Sequence, residues 1–253
     1  MAKAPREPSG APHEDRRAAA RREDPGATLD PALVEVLESA ARLQQLVPDA
    51  VLVGGSAAAA YAGHRVSFDH DHVLEDLRSR FDVVLEALES EGDWVTNRVQ
   101  PGKIILGRLG DIEAGVRQLI RRTPLEVTEL RLPSGASVRV PTAEETLRIK
   151  AFLIVRRNQV RDYLDVAALA DRYGIAHAAA VLSRIDDYYA DQHDDGDGVA
   201  SQLVRQLGDP RPADTATIKD LSRYKGLDPR WHRWPDVVAA CRRLATEITK
   251  GPA

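Results

Sequence analysis

The sequence predicts an α+β fold: a mixed sheet with flanking helices to about residue 141, then a helical C-terminal domain. Three observations carry this. Between residues 29 and 141, short apolar or alternating runs of strand length are interspersed with helical stretches. Pro133-Ser134-Gly135 marks a turn between the last two strand candidates. From Thr142 onward the apolar spacing is almost entirely helical. The expected division is a disordered tail over 1–28, a sheet-bearing core over 29–141 and a helical domain over 142–253.

Residues 1 to about 28 are rich in Pro, Ala, Arg and Glu and show no apolar period, which is the composition of a solvated tail. Asp30-Pro31 then opens a helix, with Asp as N-cap and Pro at the first helical position. Leu33, Val36, Leu37, Ala40, Leu43 and Leu46 give that helix an apolar stripe. A short apolar strand follows over 50–53, an alanine-rich helix over 56–62 and a second strand over 68–73. An amphipathic helix runs over 76–89, with Leu77, Phe81, Val84, Leu85 and Leu88 on one face. Strand candidates follow at 94–99, 103–106, 112–116, 125–132 and 137–140. Thr142-Ala143-Glu144-Glu145 is a capping box. Beyond it, helices are expected at 143–155, about 160–172, 176–190, 199–207 and 235–250.

The bulk composition narrows the function classes. At 253 residues the chain is long enough for one large domain or two small ones. A net charge of −4 disfavours a protein that only coats nucleic acid, so any RNA contact must come from a local patch. Cys241 is the only cysteine, which excludes an internal disulfide and a thiolate zinc cluster and fits a reducing cytoplasm. No apolar run reaches the length of a membrane span, and the N-terminus has no apolar signal core, so no membrane partner is expected and the localisation expected is cytoplasmic.

The chemistry concentrates between Val51 and Asp71. Val51-Leu52-Val53-Gly54-Gly55-Ser56 reads as a buried strand turning through glycines onto a helix N-terminus, whose free N–H groups and dipole suit a phosphate. Glycine lets backbone approach the phosphates closely, and the Ser56 hydroxyl can bond a phosphate oxygen or cap the helix. Asp69 and Asp71, at i and i+2 on a strand, point to one face. Two such carboxylates can hold Mg²⁺ (or Mn²⁺) against a bound NTP, the apparatus of metal-assisted nucleotidyl transfer. Activation of the acceptor hydroxyl calls for a further carboxylate from a neighbouring strand. Glu113 is the candidate, with Asp111 as the fallback. Each element alone is common. The ordered series of strand, Gly-Gly-Ser, alanine-rich helix, Arg65, Ser67 and the aspartate pair is far more specific.

That series resembles the first motif of the DNA polymerase β-type nucleotidyltransferase superfamily, and within it is most similar to the AbiEii/AbiGii toxin-like nucleotidyltransferases. A second block supports the narrower resemblance: Glu145, Leu147, Ile149-Lys150-Ala151, Arg156-Arg157-Asn158 and Arg161-Asp162-Tyr163-Leu164-Asp165. The resemblance covers roughly residues 33–175. It implies metal binding by Asp69 and Asp71, a nucleotide-contacting role for Lys150 and an essential carboxylate at Asp165. The nucleotide-binding set is then Gly54, Gly55, Ser56, Arg65 and Lys150. It also implies NTP as substrate, the tRNA 3′ end as acceptor and a cognate antitoxin as partner. His70 stands between the aspartates where related proteins often carry an apolar residue, which places an imidazole either beside the metal or at a sheet surface.

Competing readings attach to the same residues. Asp162 and Asp165 can instead serve ion pairs with Arg156, Arg157 and Arg161. The acidic 193–197 segment suits a cationic small-molecule acceptor such as an antibiotic; a protein side chain is another possible acceptor. A catalytically degenerate fold would bind nucleotide or a partner without turnover. Trp231-His232-Arg233-Trp234 offers either base stacking or packing of the last helix.

Overall fold

The computed structural model describes residues 29–192 and 197–251. The expected 1–28 tail and most of the acidic 193–197 segment lie outside the described residues.

The first element, α1 (Pro31–Leu46), begins as expected: the Asp30 carboxylate accepts from the Ala32 amide, with Pro31 at the first helical position. Strand β1 (Val51–Val53) runs directly into α2 (Gly54–Ala62), so the Gly-Gly-Ser turn is itself the first turn of the helix. Then come β2 (Asp69–Leu74), α3 (Leu77–Glu89), β3 (Trp94–Gln100), β4 (Ile104–Leu109), β5 (Ile112–Gln118), β6 (Val127–Arg131) and β7 (Ser137–Pro141). The helical stretch follows as α4 (Ala143–Arg157), α5 (Val160–Tyr173), α6 (Ile175–Leu182), α7 (Ile185–Tyr189), α8 (Val199–Gly208), α9 (Ala216–Lys219) and α10 (Trp234–Lys250).

The main sheet has the order β1-β2-β5-β4-β3. Only the central β2–β5 pair is parallel; the other pairs are antiparallel, so the sheet is mixed. β6 and β7 form a separate hairpin. One apolar cluster of α1, α3 and the sheet contains Leu43, Phe81, Leu88, Ile105, Ala114 and Val116. The larger cluster joins α1 and α2 to the β6–β7 hairpin and to α4–α8 and α10. It is continuous across residues 141–142, where the Tyr61 hydroxyl also donates to the Pro141 carbonyl at 2.6 Å.

Strand β2 alternates strictly. Asp69, Asp71 and Val73 are half-buried on one face, whereas His70, His72 and Leu74 are buried on the other. His70 therefore lies neither beside the aspartates nor at an open sheet surface. It sits behind the strand, with Nε2 3.0 Å from the Ser39 hydroxyl of α1.

Two helical expectations change. The single helix over 176–190 is two, α6 and α7, broken at Ser183-Arg184. The Ser183 hydroxyl bonds back to the Ala180 carbonyl, and the break lets Ile185 and Tyr189 both reach the core. The capping box at α4 is only half made. Thr142 Oγ1 accepts from the Glu145 amide, but the Glu145 carboxylate turns to Arg121 and Arg148. Trp231 is buried and Trp234 packs edge-on against Tyr163 at 5.9 Å, so this segment serves packing.

Candidate functional site

The glycine turn is built for close approach. Gly54 has φ +79°, a left-handed backbone that side chains disfavour. A Cβ on Gly55 would stand 2.6 Å from the Ser67 hydroxyl and 2.7 Å from Arg65 Nη2, so only glycine fits between them. Ser56 behaves differently from expectation. It is buried, and its hydroxyl donates to the Asp69 carbonyl at 2.5 Å, which ties the α2 N-terminus to the start of β2. Ser67 presents its hydroxyl to the cleft instead, donating to Asp69 Oδ1 at 2.9 Å.

Asp69 and Asp71 share one face and one cleft. Burial alone would raise the Asp69 pKa. The Ser67 hydrogen bond and the cations Lys225, Arg65 and Arg161 outweigh it and hold the carboxyl below its ordinary range. Asp71 Oδ1 accepts from Arg117 Nε at 3.2 Å. Room for Asp71 comes from Gly115, directly opposite it on β5, where a Cβ would stand 2.9 Å from Oδ1. Glu113 lies opposite Asp69 in the parallel register, which places it on the same sheet face. Asp111 lies in the β4–β5 turn, fully exposed and 3.9 Å from Arg108, and borders neither of the two clefts beside the aspartates.

Asp165 is the hub of a buried ion cluster. Its oxygens take Arg65 Nε at 2.8 Å and Nη2 at 3.0 Å, Lys150 Nζ at 2.7 Å and His64 Nε2 at 2.8 Å. All four residues are buried. Burial opposes the charge on Asp165, but Arg65, Lys150 and His64 keep its pKa well below the usual carboxylate range. Burial pushes Lys150 down, against the pull of Asp165. Asp165 thus orients Arg65 and Lys150, which line the cleft, without lining it itself. Asp162 is held by a two-pronged pair with Arg157, at 2.6 and 2.7 Å. The ion-pair reading therefore describes Asp162 with Arg157, whereas Asp165 pairs with different cations altogether.

These groups border one open cleft of about 210 Å³. One wall carries Gly54, Gly55, Ser67, Asp69 and Asp71. The cleft is lined also by the cations Arg65, Arg117, Lys150, Arg157 and Arg161 and by the apolar or aromatic Leu119, Leu125, Phe152 and Tyr189. A second cleft opens across the aspartates. It shares Asp69, Asp71, Arg117, Arg157 and Arg161 with the first and adds Glu113, Asn97 and Arg98. Arg161 acts on Asp69 through its charge, and its Nε is buried without a hydrogen-bond partner. Arg121 is buried and pairs with Glu145 at 2.6 Å.

The carboxylates fit a hard divalent cation. Among the described residues no three His, Cys, Asp or Glu side chains converge on one point. Two carboxylates completed by substrate phosphates are nonetheless the usual donor set for Mg²⁺, which seldom occupies an all-protein cage. The small space that Gly115 leaves beside Asp71 favours the same pair.

Sequence reasoning missed two residues of the site. Gly115, alone inside an apolar strand, carried the ordinary signal of close backbone approach. Lys225 lines the cleft from the loop before α10, 3.7 Å from Asp69 Oδ1, and nothing in its local sequence marks it.

The family model described as nucleotidyl transferase AbiEii toxin, type IV toxin–antitoxin system, matches residues 35–237. The fold is similar to that of MenT4, a nucleotidyltransferase toxin of Mycobacterium tuberculosis H37Rv, with a TM-score of 0.58 and 16% identity over 86% of this chain and 82% of that one. In sequence the chain is 33% identical over 241 residues to the heme uptake protein MmpL11 of Mycobacterium tuberculosis, covering 84% of this chain. It is 32% identical over 177 residues to a mycolic acid-containing lipids exporter of Mycolicibacterium smegmatis, covering 70% of this chain. The chain spans only 22% and 16% of the length of those two relatives. Among the described residues no helix is long and apolar enough to cross a membrane.

Proposed function

The chain belongs to the AbiEii nucleotidyl transferase toxin family of type IV toxin–antitoxin systems, and from that premise we propose that it transfers a nucleoside monophosphate from an NTP to RNA, with the tRNA 3′ end as acceptor. The observation that carries this reading is the position of Asp69 and Asp71 on the wall shared by two clefts. One cleft suits the triphosphate and the other an acceptor, so the reacting phosphorus falls between them.

Each residue then has a task. The α2 N-terminus at Gly54-Gly55 and the cations Lys150, Arg65 and Arg161 bind the triphosphate. Asp165 is a positioning residue that aims Arg65 and Lys150. Asp69 and Asp71 hold Mg²⁺ or Mn²⁺, which when bound polarises the α-phosphate and neutralises charge developing on it. Glu113 accepts the proton from the attacking hydroxyl. The new bond joins the acceptor oxygen to the α-phosphorus, and the bond to the pyrophosphate oxygen breaks. A cognate antitoxin is the expected protein partner, by family membership.

The acceptor cleft favours RNA over a cationic antibiotic. Arg98, Arg117, Arg157 and Arg161 border it beside Asp69, Asp71 and Glu113, and once a metal neutralised the two aspartates the remaining balance would favour a phosphodiester backbone over a polyamine. The test is incubation of the protein with Mg²⁺, each α-labelled NTP in turn and total tRNA, beside Asp69→Ala. Label in tRNA with the parent protein alone would support the proposal. Label on a small molecule or on protein would reassign the acceptor, and no transfer at all would overturn the reading.

A further inference from the structure

Lys225 occupies a backbone conformation that needs a reason. Its φ is +44°, in the left-handed region where lysine is disfavoured and glycine is not, and Gly226 beside it has φ +61°. Two backbone hydrogen bonds clamp this loop to the segment carrying Arg65 and Ser67. The Val66 amide donates to the Lys225 carbonyl and the Asp228 amide to the His64 carbonyl, both at 2.8 Å. The clamp fixes the lysine Cα at the rim of the triphosphate cleft and directs its side chain inward.

The amine meets Asp69 Oδ1 at 3.7 Å, with the two side chains 37% and 40% exposed. That separation exceeds a hydrogen bond, and so exposed a pair adds little to folding. The two backbone hydrogen bonds hold the left-handed turn, so the amine at the cleft rim is left without a folding role of its own. Asp69 also has a second claim on it, as a metal ligand in the proposed reaction. A divalent cation at Asp69 repels an ammonium group at this distance, while an arriving triphosphate brings several negative charges into the same cleft. Lysine, a compact charge on a flexible stem, can exchange one partner for the other by side-chain rotation alone.

We propose that Lys225 is an exchangeable counter-charge: it holds Asp69 in the free protein and passes to the triphosphate when metal and nucleotide bind. The proposal rests on the nucleotidyl-transfer reading of this site. It assigns the loop before α10 to nucleotide binding and predicts opposite effects on metal and nucleotide affinity.

Calorimetry on the full chain tests it, with Mn²⁺ alone and with Mn²⁺ plus the α,β-methylene analogue of each NTP. The informative variant is Lys225→Gly, because glycine suits the left-handed backbone and removes only the amine; thermal unfolding verifies that it folds. The expected result is tighter binding of Mn²⁺ alone, by about threefold, and weaker binding of the nucleotide analogue, by about tenfold. Lys225→Arg should keep nucleotide affinity within about threefold of the parent. Unchanged nucleotide affinity in folded Lys225→Gly, or weakened binding of Mn²⁺ alone, would overturn the proposal while leaving the site reading intact. Failure of the parent protein to bind any of the analogues with Mn²⁺ would overturn both.

Discussion

Asp69 on β2 lies directly opposite Glu113 on β5, across the only parallel pair of the sheet, so the two carboxylates rise side by side from one face. This relationship ranks Glu113 over Asp111 as the proposed base. Glu113→Gln should lower kcat by about 10²-fold or more without moving the melting temperature, because the side chain is exposed. Asp111→Asn should retain activity near the parent level. The reverse ranking in steady-state kinetics would dismiss the assignment.

Gly115 offers a test of geometry with no charge removed. In Gly115→Ala the new methyl would stand 2.9 Å from both Asp71 Oδ1 and Leu106 Cδ2, so Asp71 must rotate away. Transfer should fall by about 10²-fold, as expected for roughly 1 Å of misplacement at a reacting centre. The stability cost should stay near about 1–3 kcal/mol, the usual range for overpacking. Full activity in a folded Gly115→Ala protein would show that the position of Asp71 is not critical.

Asp165 should matter to folding as well as to activity. Asp165→Asn leaves Arg65 and Lys150 buried without their counter-charge. Breaking a buried pair in this way typically costs about 3–5 kcal/mol. A denaturant-unfolding midpoint close to the parent value would contradict the description of Asp165 as a hub.

The buried imidazoles predict acid sensitivity. Burial pushes His70 from 6.5 down to about 4, despite the nearby Asp69 charge. The folded protein thus keeps this ring neutral, whereas the unfolded chain binds its proton near the ordinary value. The stability it confers is complete above about pH 6.5 and is lost as the pH falls toward 4, by about 3 kcal/mol. His72 is pushed down further by burial and by His70, and adds to the same trend. Urea unfolding at steps between pH 7 and 4 should show the decline, and His70→Gln should flatten it. Equal slopes for parent and variant would refute the role of His70.

The parts of the site legible in the sequence are those set by local periodicity. Asp69 and Asp71 share a face because strand side chains alternate, a rule that needs no partner strand. Gly54-Gly55 announces a turn that side chains would obstruct. Thr142 caps α4 through an amide three residues away. The same local rules misjudged residues whose partners are distant. Ser56 has the chemistry of a phosphate ligand, but burial leaves its hydroxyl only the Asp69 carbonyl. Glu145 has the spacing of a capping box, yet two arginines outbid the Thr142 amide, because a buried carboxylate is satisfied best by charge.

By itself, then, the sequence determined the strand and helix segments, the helical stretch after Thr142, and the carboxylate pair beside a glycine turn, since each depends on neighbours within a few residues. Only the tertiary structure decided that Asp165 faces Arg65 and Lys150, that Glu113 stands beside Asp69, and that Lys225 reaches the cleft. Those contacts join segments distant along the chain. Their partners are chosen by burial and charge, which are properties of the packed molecule and leave no local spacing to read.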